Sequence, residues 1–233
     1  MQLFLKPAKM AVRPENLKVL VACEFSGIVR RAFRRLGFNA WSCDILPAED
    51  GSPYHFQCDV RNVLKHHHWD LLIAHPPCTY LCNSGVRWLH ERPERWVLMH
   101  RAIDFFLELL HADVPHIAIE NPVMHGYAQR LIGKPTQYIQ PFQFGHPVSK
   151  KTGLWLKNLP KLKPTKIVPK EQVRQDILLE PPSPDRWKKR SRTFSGIAKA
   201  MAEQWGEFLL SFYALFQQKK KFQPKGALQC KAG

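Results

Sequence analysis

The stretch Lys18-Val-Leu-Val-Ala-Cys23-Glu24-Phe25-Ser26-Gly27 decides the fold class, because it joins a short apolar run to a glycine turn. Residues 28–36 follow with apolar side chains at helical spacing and with four arginines on the polar side. Gly37 then ends the helix, as a glycine after the last turn commonly does. This stretch predicts a β-strand, a tight turn and an α-helix.

The same alternation continues along the chain. Four more apolar runs predict strands, and a segment of helical periodicity precedes the last of them. The strands are residues 39–45, 56–60, 70–74 and 116–120, and the helix is residues 94–110. Repeated strand-helix alternation predicts an α/β fold with a doubly wound, mostly parallel sheet, which binds its ligands outside the carboxyl ends of the strands.

The pattern changes beyond Gly133. Two further strands, residues 136–140 and 153–156, are predicted to form an antiparallel edge of the sheet, and residues 195–216 to form a terminal helix. Because 233 residues support one substantial core, we predict a single domain. The predicted divisions are an N-terminal extension (1–17), the domain (18–217), a short proline-rich basic connection within it (157–192), and a basic tail (218–233).

The charge of the chain favours a polyanionic partner. Thirty-five Lys and Arg against 19 Asp and Glu give a formal net charge of +16. Such an excess favours nucleic acid through phosphate contacts and counterion release, although a solvated basic surface or attraction to anionic lipid would also account for it. No apolar run has the roughly 20 residues that a membrane span needs, and no secretory signal is evident. We therefore expect a cytoplasmic protein with reduced cysteines.

Several residues at the predicted strand ends suit a nucleotide-like cofactor. The turn from Glu24 to Gly27 would direct backbone N–H groups and a helix N-terminus at a ligand, although a glycine there can serve backbone freedom alone. Asp44 and Asp59 could accept hydrogen bonds from ribose hydroxyls and an adenine amino group, or they could cap helices and turns.

Cys78 and Glu120 are the candidate catalytic residues. Cys78 follows two prolines directly after a predicted strand, where the stiffened backbone can present a thiolate at the mouth of the sheet. Glu120 ends the next strand and could face the same pocket. A metal site made of His75, Cys78 and Cys82 is one ligand short and has the wrong spacing for structural zinc, so we expect no metal.

In order, these motifs resemble the cytosine-5 DNA methyltransferases, which carry a Phe-rich glycine turn, acidic strand ends, a Pro-Pro-Cys loop and a Glu-Asn-Val triplet. The resemblance spans about residues 18–125 and continues more weakly through Lys150-Lys151-Thr152 and residues 195–205. It implies S-adenosylmethionine as cofactor, bound by Glu24, Phe25, Ser26, Gly27, Asp44, Asp59 and Pro76.

The resemblance also implies a mechanism. Cys78 would add to carbon 6 of a flipped cytosine while Glu120 stabilises the ring, with substrate contacts from Asn121, Arg87, Lys150 and Lys151. The implied partner is DNA, most simply a duplex. The family's sizeable recognition domain has no counterpart in residues 157–192, so methylation of a free cytidine nucleotide, or catalytically silent nucleic-acid binding, stays an alternative, as does RNA. The compact chain would fit a phage or mobile-element enzyme.

Overall fold

The computed structural model describes residues 12–174, 183–184 and 186–221. Among them are seven strands: β1 (Lys18–Ala22), β2 (Asn39–Asp44), β3 (His55–Gln57), β4 (Leu71–Ala74), β5 (His116–Pro122), β6 (Gln137–Ile139) and β7 (Thr152–Lys157). The α-helices of the same described residues are α1 (Ile28–Arg35), α2 (Val60–His66), α3 (Trp88–Glu91), α4 (Glu94–Leu110), α5 (Gly126–Ile132), α6 (Arg186–Ser191), α7 (Ser195–Ala200) and α8 (Gly206–Lys221). A π-helical segment, Met201–Trp205, joins α7 to α8.

The strands form one sheet in the order β3-β2-β1-β4-β5-β7-β6. The first five of these pair in parallel, whereas β7 pairs antiparallel with both β5 and β6. The predicted α/β, doubly wound and mostly parallel sheet is therefore confirmed, and so is its antiparallel edge. The order reverses direction between β1 and β4, which makes their carboxyl ends the switch point at which such sheets bind ligands.

Two apolar layers cover the two faces of the sheet. Along β1, Val19 and Val21 contribute to a cluster that includes Phe33 of α1, while Leu20 and Ala22 contribute to the opposite cluster. This division follows from the two-residue period of a strand, which sends successive side chains to opposite faces. Helices pack against both faces of the sheet, so only loops lie at the carboxyl ends of its parallel strands.

The arginines of α1 do not all lie on a polar face as the sequence pattern suggests. Arg30 is 1% exposed and donates from its guanidinium to Ser42 Oγ (2.7 Å) and Asp50 Oδ2 (2.5 Å). Arg31 donates to the same carboxylate. These bonds hold the pKa of Asp50 at about 2, since they outweigh the effect of burial. Arg30 thus ties the loop after β2 to α1.

The prediction placed the third strand too late in the chain. β3 covers residues 55–57 instead of 56–60, so Asp59 stands at the N-terminus of α2, where its side chain accepts from the Arg61 N–H. Helix α2 itself was not predicted. The strand was predicted to continue because the apolar side chain of Val60 suits a strand. Asp59 instead caps the N-terminus of α2, so that Val60 is the first residue of the helix.

The ends of the predicted domain and the proline-rich connection are only partly described. Leu17, placed in the N-terminal extension, is buried in the core. In the connection, residues 158–169 form no helix and no strand beyond the bridge of Lys166 to Phe144, Arg174 bridges to Val148, and α6 follows the undescribed residues. The predicted basic tail lies outside the described residues from position 222 onward.

Candidate active site

A cavity of about 1190 Å³ opens at the carboxyl ends of β1, β2 and β4. Its wall combines the glycine turn, the loops after β2 and β3, and the proline turn, and it also includes parts of the segments 149–151 and 187–193. Eight of the predicted site residues line it: Glu24, Phe25, Ser26, Asp44, Asp59, Cys78, Lys150 and Lys151. The fold therefore gathers motifs that are as far as 127 residues apart (24 to 151) into one space.

The glycine turn is built around the buried carboxylate of Glu24. Gly27 has φ +65°, a left-handed conformation that favours glycine, and from it α1 begins. Glu24 Oε1 accepts from the Val29 N–H at 2.7 Å, and Oε2 accepts from the Arg30 N–H at 3.3 Å. Burial raises the pKa of Glu24, although His75 and the two N–H groups oppose the rise. The first N–H groups of α1 are therefore taken by the protein's own carboxylate, contrary to the prediction that they point at a ligand.

The side of the cavity that is predicted to bind a cofactor has both polar and apolar walls. Asp44 is half-buried, one of its oxygens accepts from the Leu46 N–H at 3.0 Å, and burial raises its pKa. Asp59 is more exposed and forms an ion pair with Arg61 at 3.0 Å. Ile45 lines the cavity although 75% of it is exposed, and Phe25 lies beside it in the same wall. An apolar side chain left open on a cavity wall suits a flat aromatic ligand. The sequence analysis did not identify Ile45.

Cys78 lies at the proline turn and is paired with a second thiol. The N–H groups of Leu81 and Cys82 both donate to the Cys78 carbonyl at 3.0 Å, and this turn keeps the two thiols close enough to shift each other's pKa. Cys82 Sγ is also 3.0 Å from Ser84 Oγ. The Cys78 thiol donates to Cys82, so the pKa of Cys78 is raised by that bond and by burial, while the pKa of Cys82 is lowered to about 5. Lys150 is the cation that lowers the pKa of Cys78.

Glu120 is paired with His75, the residue before the proline turn. Neighbouring strands β4 and β5 bring them together, and His75 Nδ1 lies 2.7 Å from Glu120 Oε2. Both side chains are nearly buried, 9% and 13% exposed. Burial alone would lower the pKa of His75, but the bond to Glu120 and its charge outweigh burial and raise it. Burial would raise the pKa of Glu120, and the His75 bond instead lowers it.

Glu120 does not line the main cavity. It borders a pocket of about 10 Å³ with Lys150, Arg192 and Thr193, whereas the His75 side of the pair lines the main cavity. Glu120 was expected to face the same space as Cys78, but it is connected to that space only by its hydrogen bond to His75.

Three more of the predicted residues lie away from the cavity wall. Pro76 is buried, while its neighbour Pro77 lines the cavity. Asn121, predicted to contact substrate, is buried and donates from Nδ2 to the Pro76 carbonyl at 2.9 Å, so it anchors the proline turn to β5. Arg87, also predicted to contact substrate, packs its guanidinium 4.4 Å from the centre of the Trp88 ring instead of lining the cavity.

The basic side of the cavity is more extensive than predicted. Lys150 Nζ donates to the Arg190 carbonyl at 2.8 Å, and Lys151 Nζ lies 4.4 Å from the Tyr138 ring centre. Further cations line the wall: Arg61, Arg92, Arg95, Arg190 and Arg192. Clustered cations of this kind suit a phosphate backbone.

Two contacts from α6 and its flank close the cofactor side. The Trp187 ring lies 5.7 Å from the Phe25 ring, centre to centre, and Arg192 forms an ion pair with Glu49 of the loop after β2. No site residue was predicted within residues 157–192, because proline and lysine content carries no signal for these two contacts. For Cys82 and His75 a signal existed, namely their positions beside Cys78, but they were considered only as metal ligands.

Within the described residues no group of three or more His, Cys, Asp or Glu side chains could hold a metal ion. No helix in that part of the chain is long and apolar enough to cross a membrane.

No family model matches the chain, and no curated protein sequence matches it. Solved structures similar to it include a candidate DNA modification methyltransferase encoded within a prophage of E. coli (18% identity, TM-score 0.44, 66% of this chain and 52% of that one). Others are the Entamoeba histolytica methyltransferase EhMeth (15%, 0.42, 65% and 57%) and a mutant of Spodoptera frugiperda DNMT2 (16%, 0.37, 65% and 54%). The chain spans about half the length of these structures, and none is close enough to assign an activity.

Proposed function

We propose that this protein is an S-adenosylmethionine-dependent methyltransferase that acts on carbon 5 of cytosine in DNA. The observation that carries the proposal is the single cavity in which a cysteine on a proline turn faces acidic strand ends and a basic rim. A volume of about 1190 Å³ has room for a nucleoside cofactor and a second nucleoside together.

The residues on the cofactor side fit S-adenosylmethionine. Asp44 and Asp59 both line the cavity, and their carboxylates suit ribose hydroxyls and an amino group respectively. Phe25 and Ile45 offer apolar surface to an adenine ring. Glu24 and Gly27 would shape the turn, and Pro76 would set the backbone of the neighbouring wall. When bound, the cofactor supplies an electrophilic methyl group.

Cys78 would act as the nucleophile. Its thiol proton passes to the Cys82 thiolate along the existing bond, its sulfur adds to carbon 6 of the base, and carbon 5 becomes electron-rich enough to take the methyl group. The His75–Glu120 pair protonates the ring nitrogen on which charge develops. The carbon-5 proton then passes to water, and its bonding electrons re-form the ring double bond and expel Cys78 as a thiolate.

DNA is the proposed partner because the cavity rim is cationic. Lys150, Lys151 and the arginines of the wall would bind phosphates, and the target base would have to leave the duplex to reach Cys78. The chain covers only about half of each similar structure, so the substrate is proposed from the residues of this chain and not from those structures.

The test is methyl transfer from labelled S-adenosylmethionine to duplex DNA, single-stranded DNA, RNA and free cytidine nucleotides in parallel. We expect 5-methyldeoxycytidine from DNA with the wild type and none with Cys78→Ser, which preserves the size of the side chain. Product only from RNA or only from free nucleotides would show that the substrate is not DNA. Product that persists in Cys78→Ser would refute the covalent mechanism, and cofactor binding without any product would favour a silent binding protein.

A further inference from the structure

The second ring nitrogen of His75 has no hydrogen-bond partner among the described residues, although it is buried. Its first nitrogen, Nδ1, is bonded to Glu120, and His75, not Glu120, is among the residues that line the cavity that holds Cys78. A buried polar atom without a partner is costly unless a ligand supplies the missing hydrogen bond. The pair therefore has one unsatisfied position, and it is on the histidine.

We infer that His75 is the catalytic acid for the cytosine ring and that Glu120 is its positioning residue, an inference that rests on the proposed function. Nε2 would contact the ring nitrogen, while Glu120 holds Nδ1 and so fixes the tautomer and orientation of the imidazole. This is the logic by which a carboxylate orients a histidine in other catalytic sites. His75, rather than Glu120, would then contact the base.

The proton balance of this step is simple. As Cys78 sulfur bonds to carbon 6, the electron pair of the ring double bond is delocalised toward the ring nitrogen, which takes the proton of His75 Nε2. The imidazole ends neutral and keeps its Nδ1–H bond to the Glu120 carboxylate. When carbon 5 has lost its proton and Cys78 leaves, the ring nitrogen returns its proton to Nε2.

The charges around His75 favour its acid form. Glu120 of β5 and Glu24 of the glycine turn both raise the pKa of His75, and Lys150, ahead of β7, lowers it. The outcome, after burial is included, is a pKa above the ordinary 6.5. In the wild type the acid form therefore persists to a higher pH than in an ordinary histidine, and it is lost as pH rises through that raised pKa.

The decisive variants are His75→Asn and Glu120→Gln. Asparagine keeps a donor near the Nδ1 position and so keeps the bond to Glu120, but it has no Nε2. We expect His75→Asn to reduce kcat on the order of 10²-fold at unchanged cofactor binding and unfolding temperature. If Glu120 contacts the base itself, His75→Asn should stay near wild type and Glu120→Gln should be the inactive variant. A kcat of His75→Asn within about threefold of wild type would overturn the inference.

A second readout does not depend on activity. In the full chain labelled with ¹³C at histidine Cε1, the His75 resonance is identified by its loss in His75→Asn. Glu120→Gln should lower the pKa of His75, whereas His116, bonded to the Asn158 carbonyl at the far end of β5, should titrate as before. An unchanged His75 midpoint would refute the pair. A wild type that methylates nothing would refute the proposed function instead, and this titration would still test the pair.

Discussion

The Cys78–Cys82 pair should make Cys82 react as a thiolate well below neutral pH. Cys82 receives the Cys78 S–H bond and lies 3.0 Å from the Ser84 hydroxyl, and these donors lower its pKa from 9.0 to about 5. The perturbation we choose is Cys78→Ala, which removes the largest of these contributions and leaves the turn itself in place. In that variant the pKa of Cys82 should return toward its ordinary value.

The magnitude can be worked out at pH 6. A thiol of pKa 9.0 is then ~0.1% thiolate and one of about 5 is ~90% thiolate, a ratio of ~900. A less basic thiolate is also a weaker nucleophile, by ~60-fold over four pKa units at a Brønsted coefficient of about 0.45. The net expectation is that Cys82 reacts with a disulfide probe about 15-fold faster than an ordinary thiol at pH 6.

The assay is the reaction of the folded chain with 4,4′-dithiodipyridine at pH 6, followed by absorbance. The fast phase should disappear in Cys82→Ser and become slower in Cys78→Ala. Cys78 itself should gain reactivity in Cys82→Ser, because the bond that raises its pKa is gone. A Cys82 rate equal to that of a free thiol, or one insensitive to Cys78→Ala, would show that the two sulfurs share no proton.

Three further expectations follow from the site. Gly27→Ala should lower the free energy of unfolding in urea by about 1–3 kcal/mol, because Gly27 has a positive φ. The loss should exceed that of Gly51→Ala, because only at Gly27 would the new Cβ lie 2.3 Å from the Arg30 guanidinium. Equal losses would contradict this packing. Because the pKa of Glu24 is raised in the folded state, its contribution to the free energy of unfolding is fully present below pH 4.5 and is lost as pH rises through the raised pKa. The difference in free energy of unfolding between the wild type and Glu24→Gln should therefore shrink as pH rises above 4.5, and a constant difference would contradict the raised pKa. Lys151→Ala should reduce the salt slope of duplex binding, measured by fluorescence anisotropy, by about 0.9, and an unchanged slope would remove it from the phosphate contacts.

Sequence reasoning succeeded where the decisive interactions are local. The run from Lys18 to Gly27 specifies its strand and turn through side chains that are adjacent in the chain, and the proline turn before Cys78 is likewise local. It failed for His75 and Glu120, because their bond joins residues 45 apart and depends on the register of two parallel strands. A single sequence gives strand order only loosely and register not at all.

Buried polar side chains were the other source of error. Arg30 was placed on the polar face of its helix from residue type, and Asn121 was expected to contact substrate from the family resemblance, but both side chains are buried. Their partners, Asp50 for one and the Pro76 carbonyl for the other, lie 20 and 45 residues away. The same reasoning explains Glu24, whose carboxylate was expected to serve a ligand and serves the first turn of α1 instead.

The two residue pairs of the site solve one physical problem together. The proposed reaction needs a thiolate and a proton donor at the same time, and with ordinary pKa values of 9.0 for cysteine and 6.5 for histidine both forms coexist in at most ~0.3% of molecules. Here Cys78 and Ser84 lower the pKa of Cys82, and Glu120 raises the pKa of His75. Both shifts favour the coexistence of a thiolate with an imidazolium. The thiolate lies on Cys82, so Cys78 becomes the nucleophile only after its proton has passed to that neighbour, a transfer that the raised pKa of Cys78 opposes.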